Sequence, residues 1–494
     1  MRSPVTRRAL VAASILIAAL CAASCQRNDR GETNVLVIGA QPRITDPASG
    51  ALTEPQAVLL ANVAQGLVAF DPSGQIIPGL AERWNVTDDG LSYIFRLQTA
   101  KWPDGRKITA QQVARLLRRQ ISARSNNALK DTLGAIDEIT PMTDRVIEIS
   151  LTAPRPHLLQ LLAQPEFAIV SENQGSGPFA ISPKSKPDAL LLRRSVTSLD
   201  DDLTTQEDVI LGGRPAPDAI KAFIAGETEL VLGGTFADLA YARSADLPKT
   251  ALRFDPAMGL FGLVPARGSG PVADLAFRRL LSQAIDRQAL IDALNVPGLL
   301  PRATILEPGL DGVPSPVAPP WMSTPIDQRR ATLSAAAERM IGRLDAPVIR
   351  IALPDSPGAK IMLSRLASDW GALGIKVEDA EKGGPADLRL IDLVAPSSSP
   401  AWYLRSFRCG IVSVCDAEAD ELLNGARAAT VPAQRYGLFT QAAQRMDDQQ
   451  LFIALTAPIR WSLVSTQMQG FANNRFATHT LVGLRQRPDR DRGE

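Results

Sequence analysis

Residues 66–109 read GLVAFDPSGQIIPGLAERWNVTDDGLSYIFRLQTAKWPDGRKIT. Two turns punctuate this stretch, Asp71-Pro72-Ser73-Gly74 and Thr87-Asp88-Asp89-Gly90. In such turns Asp accepts local backbone bonds and Gly permits positive φ. Tyr93, Phe95 and Leu97 alternate with Ser92, Ile94 and Arg96, the two-residue period of a half-buried strand. Thr109 then opens a helix, and Gln112 three positions on completes a capping box. Val113, Leu116, Leu117 and Ile121 form the apolar stripe of that helix. By themselves these residues describe a turn, strand and helix unit that requires no ligand.

The order and spacing of the same pieces resemble family 5 extracytoplasmic solute-binding proteins, the peptide, nickel and opine binders that feed ABC importers. The matching residues are Gly66-Leu67 with Asp71-Pro72, then Pro78-Gly79-Leu80-Ala81 with Trp84 and Asp88-Asp89-Gly90-Leu91. They continue through Tyr93 to Leu97, Lys101-Trp102 with Asp104-Gly105, and Thr109-Ala110. Further likenesses lie at Pro42–Pro47, Gly175–Phe179 and Ile224–Val231, and Ala284-Ile285-Asp286-Arg287 resembles the family's second hallmark. The resemblance covers most of Val35 to Val464 and implies an α/β, two-lobed periplasmic-binding-protein fold, type II-like and of cluster C. It implies a ligand cleft between the lobes, whose closure a permease reads.

The chain begins with basic Arg2, Arg7 and Arg8, followed by an apolar run from Ala9 to Ala23 that is short for a membrane span. Ala22-Ala23-Ser24-Cys25 resembles a lipobox, with Ala22 where Leu is usual, so Cys25 is the expected lipidation site and membrane tether. A plain secretory signal or an uncleaved anchor is the alternative. The partition expected is leader 1–24, tether 25–33, first lobe 34–258, second lobe 259–462, return segment 463–485 and frayed tail 486–494. The remaining length of about 470 residues suggests two lobes or domains. Setting aside the leader arginines leaves 50 basic against 52 acidic residues, a net charge of −2. That balance gives no basic face for nucleic acid. With Cys21 in the leader and Cys25 lipidated, Cys409 and Cys415 remain. An oxidising compartment makes a disulfide the natural reading, with half a zinc site as the alternative.

Further along, Val35–Ile38 and Val146–Leu151 read as strands, and 185–217 as a loop or shortened strand pair. Asp274–Leu294 reads as one helix, Pro301–Pro325 with its seven prolines as a surface excursion or lobe-spanning loop, and 348–377 as a strand–helix–strand unit with a parallel pair. Helices are expected over 417–428 and 433–446, and a strand at 451–455 returning toward the first lobe. Gly175 to Ala180 matches the dinucleotide pattern GxGxxA, but Pro178 lies inside it and no helical run follows, so no cofactor is expected.

Only His157 and His479 are available as imidazole bases, and no GxSxG elbow, HExxH helix or P-loop occurs. ATP would therefore be used by a partner ATPase, and no enzymatic activity is expected. In peptide-binding members one cleft wall carries a Trp-x-Ala-Asp segment whose Asp pairs with the ligand's α-amine. By resemblance that segment falls on Leu393 to Pro396, placing Leu393 at the Trp and Pro396 at the Asp. Pro396 cannot supply a counter-charge to a buried ammonium, although Asp392 lies near enough to compensate. The cleft candidates are Arg43, Asp46, Trp102, Asp392, Leu393, Pro396, Ser397, Trp402 and Arg405. The arginines suit a carboxylate or phosphate and the tryptophans a stacked ligand. The expected function is monomeric capture of a small solute, whether peptide-like, opine-like, an oligosaccharide or a metal chelate, for an ABC permease. A transport-inactive surface or assembly lipoprotein is the alternative.

Overall fold

The computed structural model describes residues 32–197, 204–342 and 347–486. The leader, Cys25, the acidic Asp200-Asp201-Asp202 and the tail from 487 lie outside the described residues.

Three sheets organise the chain. A seven-stranded sheet has the order Leu252–Phe254, Arg460–Val464, Leu230–Thr235, Thr33–Ile38, Thr204–Arg214, Leu190–Thr197 and Ala180–Ile181. Its central strand Thr33–Ile38 runs parallel to both neighbours. Alternation sends Val35 and Val37 to one apolar cluster and Leu36 to another, so the strand is covered on both faces. The 185–217 region is not shortened. Its strands of eight and eleven residues pair antiparallel, since Leu192, Val209 and Leu211 give them an apolar face to bury.

Residues 66–170 build a satellite on this first lobe. Ala81–Val86, Ser92–Leu97, Val146–Leu151 and Ile136–Thr143 form a four-stranded antiparallel sheet. Helix Ala110–Ile121 packs on it, with Thr109 and Gln112 forming the expected reciprocal cap. Gly177 donates its N–H to the Val63 carbonyl at 2.9 Å, and a Cβ there would lie 2.5 Å from the Asn62 oxygen. The Gly-x-Gly turn thus serves close approach to the end of helix Glu54–Val63, and strand Ala180–Ile181 follows it.

The second lobe is a five-stranded mixed sheet in the order Lys376–Asp379, Val348–Ala352, Leu388–Val394, Gly259–Pro265 and Ile453–Thr456. Helix Pro357–Gly371 joins the parallel pair Val348–Ala352 and Lys376–Asp379. Three expectations are corrected here. The strand around 451–455 pairs with Gly259–Pro265 inside this sheet, and Arg460–Val464 makes the return, three residues before 463. Residues 274–294 form two helices, Leu275–Ala284 and Arg287–Leu294, because Ile285 is extended and Asp286 caps the second by accepting from the Ala289 N–H. Buried Arg287 holds this break by donating to the carbonyls of Ser282 and Ala454, both at 2.8 Å. Finally, Ile305, Leu306 and Leu310 are core residues, so the proline-rich stretch begins inside the lobe.

One apolar cluster runs from the seven-stranded sheet into the second lobe, through Trp461, Phe236 and Phe261 to Trp370. Among the described residues no helix is long and apolar enough to cross a membrane.

Candidate functional site

The lobes face one another along residues 392–405. Pro400 opens the short helix Pro400–Arg405, and the chain before it, Ala395 to Ser398, is buried. Gln164 of the first lobe donates to the Pro396 carbonyl at 2.7 Å, and Gln160 accepts from the Ser398 N–H at 3.0 Å. The Ser398 hydroxyl also reaches Asp311 at 2.6 Å, and Asp311 stands 3.4 Å from His157. Burial pushes the His157 imidazole down, opposed by Asp311, which favours its neutral form.

Beyond this seam lies a cavity of about 420 Å³ between the satellite and the second lobe. Leu133, Leu158, Leu423 and Phe439 contribute apolar wall, with Trp402 and Tyr436 beside them. Five arginines line it: Arg408, and a set of four made up of Arg155 from the first lobe with Arg405, Arg427 and Arg435 from the second. Each of the four bonds backbone carbonyls. Arg405 donates to Asp131, Arg427 to Gly134 at 2.8 Å, Arg435 to Pro154 at 2.8 Å and Arg155 to Pro154 at 2.9 Å. None of the four has a carboxylate within ion-pair distance among the described residues. Arg408 is different, being held by Asp420 and Asn424. Burial, then the charges of Arg435, Arg427 and Arg405, pulls the Arg155 guanidinium down to about 10.

The expected site residues divide. Ser397, Trp402 and Arg405 line the cavity, and Pro396 lies in the seam beside it. Leu393 is 49 % exposed and pairs in register with Leu260. Asp392 does not stand in for the missing carboxylate, because Arg460 Nη1 donates to it at 2.8 Å. Burial raises the Asp392 carboxyl, and Arg460 partly offsets this. Trp102 belongs to the four-stranded sheet's core at 4 % exposure, with Nε1 toward Gln112, so it is no cleft residue. Asp46 caps the turn Pro47–Ser49 and pairs with Arg119 at 2.6 Å. Arg43 is exposed and away from the cavity. Cys409 and Cys415 are joined in a disulfide.

Sequence reasoning missed Arg155, Arg427 and Arg435. It also missed two first-lobe carboxylates, Glu54 and Glu166, which have no ion-pair partner among the described residues. Glu166 follows Gln164 by two positions, and burial pushes its carboxyl up to about 7. Glu54 opens helix Glu54–Val63 with an exposed side chain, near the charges of Arg460 and His479. The Glu54 charge adds to burial in raising the Glu166 carboxyl.

A family model described as bacterial extracellular solute-binding proteins, family 5 Middle, matches residues 75–379. The chain is 24 % identical to di/tripeptide-binding protein 1 of Pseudomonas aeruginosa, covering 91 % of this chain and 93 % of that protein. It is 21 % identical to the periplasmic oligopeptide-binding protein OppA of Escherichia coli, over 94 % and 96 % of the two chains. Among solved structures it is similar to Haemophilus influenzae OppA in complex with the peptide RPPGFSPFR. That likeness has a TM-score of 0.78 and 16 % identity, and covers 92 % of this chain and 99 % of the other. The Escherichia coli murein tripeptide binding protein MppA gives a TM-score of 0.77 at 18 % identity, covering 92 % and 98 %.

Proposed function

The chain belongs to family 5 of the bacterial extracellular solute-binding proteins, and from that premise we propose that it captures a peptide-like solute between its lobes and presents it to an ABC permease and ATPase. The carrying observation is the cavity of about 420 Å³ enclosed by both lobes, within the size range of small-molecule sites. Capture closes the lobes, and closure is the state a permease recognises. The reading includes no catalytic step; burial pushes the His157 imidazole down, and His479 is hydrogen-bonded to Asp255 at 3.1 Å.

Pro396 leaves the ligand's amine without the usual acid, and Glu54 and Glu166 supply the charge in its place. Glu166 lies two residues from Gln164, which bonds the Pro396 carbonyl, and the Glu54 carboxylate interacts with the charge of Arg460, which holds Asp392. An arriving ammonium would lower the raised Glu166 carboxyl pKa and ionise it. The protein is tethered through lipidated Cys25 on the outer side of a membrane and acts as a monomer. Its division falls near 258 and 457–459, where the chain passes between sheets.

The test is native mass spectrometry on residues 26–494 exported to an oxidising periplasm. A discrete mass released by denaturation, followed by thermal stabilisation with that solute, is expected. An empty protein that no di- to pentapeptide stabilises would overturn the reading in favour of a transport-inactive lipoprotein.

A further inference from the structure

The cavity's charge goes further than its location. Arg155, Arg405, Arg427 and Arg435 converge from two lobes and from positions 280 residues apart, and each is bonded only to carbonyl oxygens. Arg435 is 4 % exposed, and its Nε is buried without a hydrogen-bond partner. A buried cation ordinarily finds a carboxylate, because desolvation is otherwise uncompensated. Asp131 is the one carboxylate residue of the lining. Lys130, also in the lining, directs its ammonium to the Ala123 and Ser125 carbonyls. Four guanidiniums against one acid leave a surplus that a single negative charge would not neutralise. Guanidinium forks match carboxylate and phosphate oxygens in pairs.

We propose that this cavity is an anion subsite, in which the four arginines clamp a group of the solute carrying two or more negative charges, the side-chain carboxylates of an acidic peptide. This rests on the solute-binding reading above and narrows its ligand class. The clamp also explains how binding is coupled to closure. Arg405, Arg427 and Arg435 already donate across the seam to first-lobe carbonyls, and an anion held between them and Arg155 adds a charge-balanced bridge between the lobes. The depressed Arg155 guanidinium reflects its burial first and then the crowding of like charge around it.

The experiment is calorimetric titration of the full secreted protein with triglutamate, trialanine, trilysine and pyrophosphate, with small-angle scattering to follow closure. Triglutamate should bind at least 100-fold more tightly than trialanine, should compact the protein, and should weaken steeply from 50 to 300 mM salt. Arg155→Gln and Arg427→Gln should each cost tenfold or more in triglutamate affinity, a loss at least tenfold larger than any they cause for trialanine. Arg427→Lys, which keeps the charge, should restore part of the loss and guards against misfolding of the glutamine variant. Pyrophosphate binding with the same arginine dependence, without triglutamate binding, would also support the subsite and assign the charge to a phosphate-bearing solute. Equal affinity for trialanine, trilysine and triglutamate would overturn the anion subsite while leaving peptide capture intact. Binding of none of the four probes would overturn the subsite and count against capture as well.

Discussion

Replacing Asp392 with Asn tests whether this residue belongs to the fold or to the ligand. Its carboxylate and the Arg460 guanidinium meet at 2.8 Å, with side chains 16 % and 17 % exposed, and they join strand Leu388–Val394 to strand Arg460–Val464 across the lobe junction. At that distance the Coulomb attraction is about 6 kcal/mol for an effective dielectric of roughly 20. Desolvation of both groups offsets much of it, but removing one partner leaves the other buried and unpaired, at about 3–5 kcal/mol. Residual solvent access favours the lower figure. Unfolding entropy scales at about 2 cal/mol/K per residue, or roughly 0.9 kcal/mol/K for about 450 ordered residues, so a 3 kcal/mol loss lowers Tm by about 3 °C. Calorimetry on Asp392→Asn, Arg460→Met and the double variant closes the cycle, and the double variant should recover at least half of the loss. Trialanine affinity should stay within about threefold throughout, since Asp392 is already occupied. An unchanged Tm together with a tenfold or greater loss of affinity would refute the argument and make Asp392 a ligand residue.

Three further outcomes follow from the same structure. Glu166 and Asp447 are both held near 7, above their ordinary 4.5 and 3.8, chiefly by burial. The folded chain therefore binds these protons more tightly than the unfolded one, so their contribution is full below about pH 4 and is lost as pH rises through 7. The urea midpoint should fall between pH 5 and pH 8, and Glu166→Gln with Asp447→Asn should flatten that fall. Cys409→Ser with Cys415→Ser opens a short loop and should cost about 2 kcal/mol in urea titrations, with dithiothreitol reproducing the effect on the parent protein. Gly358→Ala places a Cβ 2.0 Å from the Phe236 carbonyl oxygen, where the second lobe's helix meets the first lobe. Overpacking there should cost about 2–3 kcal/mol and enlarge the radius of gyration seen by scattering.

Local structure was largely legible because its causes are local. The alternation of Tyr93, Phe95 and Leu97, the Thr109 cap and the 348–377 crossover act over a few residues, and all three stand as read. The break at Ile285 was hidden because apolar spacing continues through it. Tertiary bonds from Asp369 to the Asp286 N–H and from Arg287 to Ala454 decide it instead. Trp102 illustrates the opposite error. An aromatic in a conserved-looking motif suggested a ligand, but the four-stranded sheet needed a large side chain beneath helix Ala110–Ile121. The arginine cavity was invisible for a simpler reason. Arg155, Arg405, Arg427 and Arg435 have no spacing relationship along the chain, and only the apposition of lobes gathers them. Arg405 was found because a neighbouring segment drew attention to it.

The placement of strand Arg460–Val464 has a consequence for the order in which the molecule is assembled. It lies between Leu230–Thr235 and Leu252–Phe254, so the seven-stranded sheet has a missing interior member until that segment arrives. During synthesis the second lobe, complete by Thr456, has all its strands before the first lobe does. An emerging chain therefore carries two unpaired edges, at Leu230–Thr235 and Leu252–Phe254, to the last stage of elongation. Late completion leaves the first lobe's sheet open until Arg460–Val464 is made, and it makes the pairing of that strand a late step in forming the sheet.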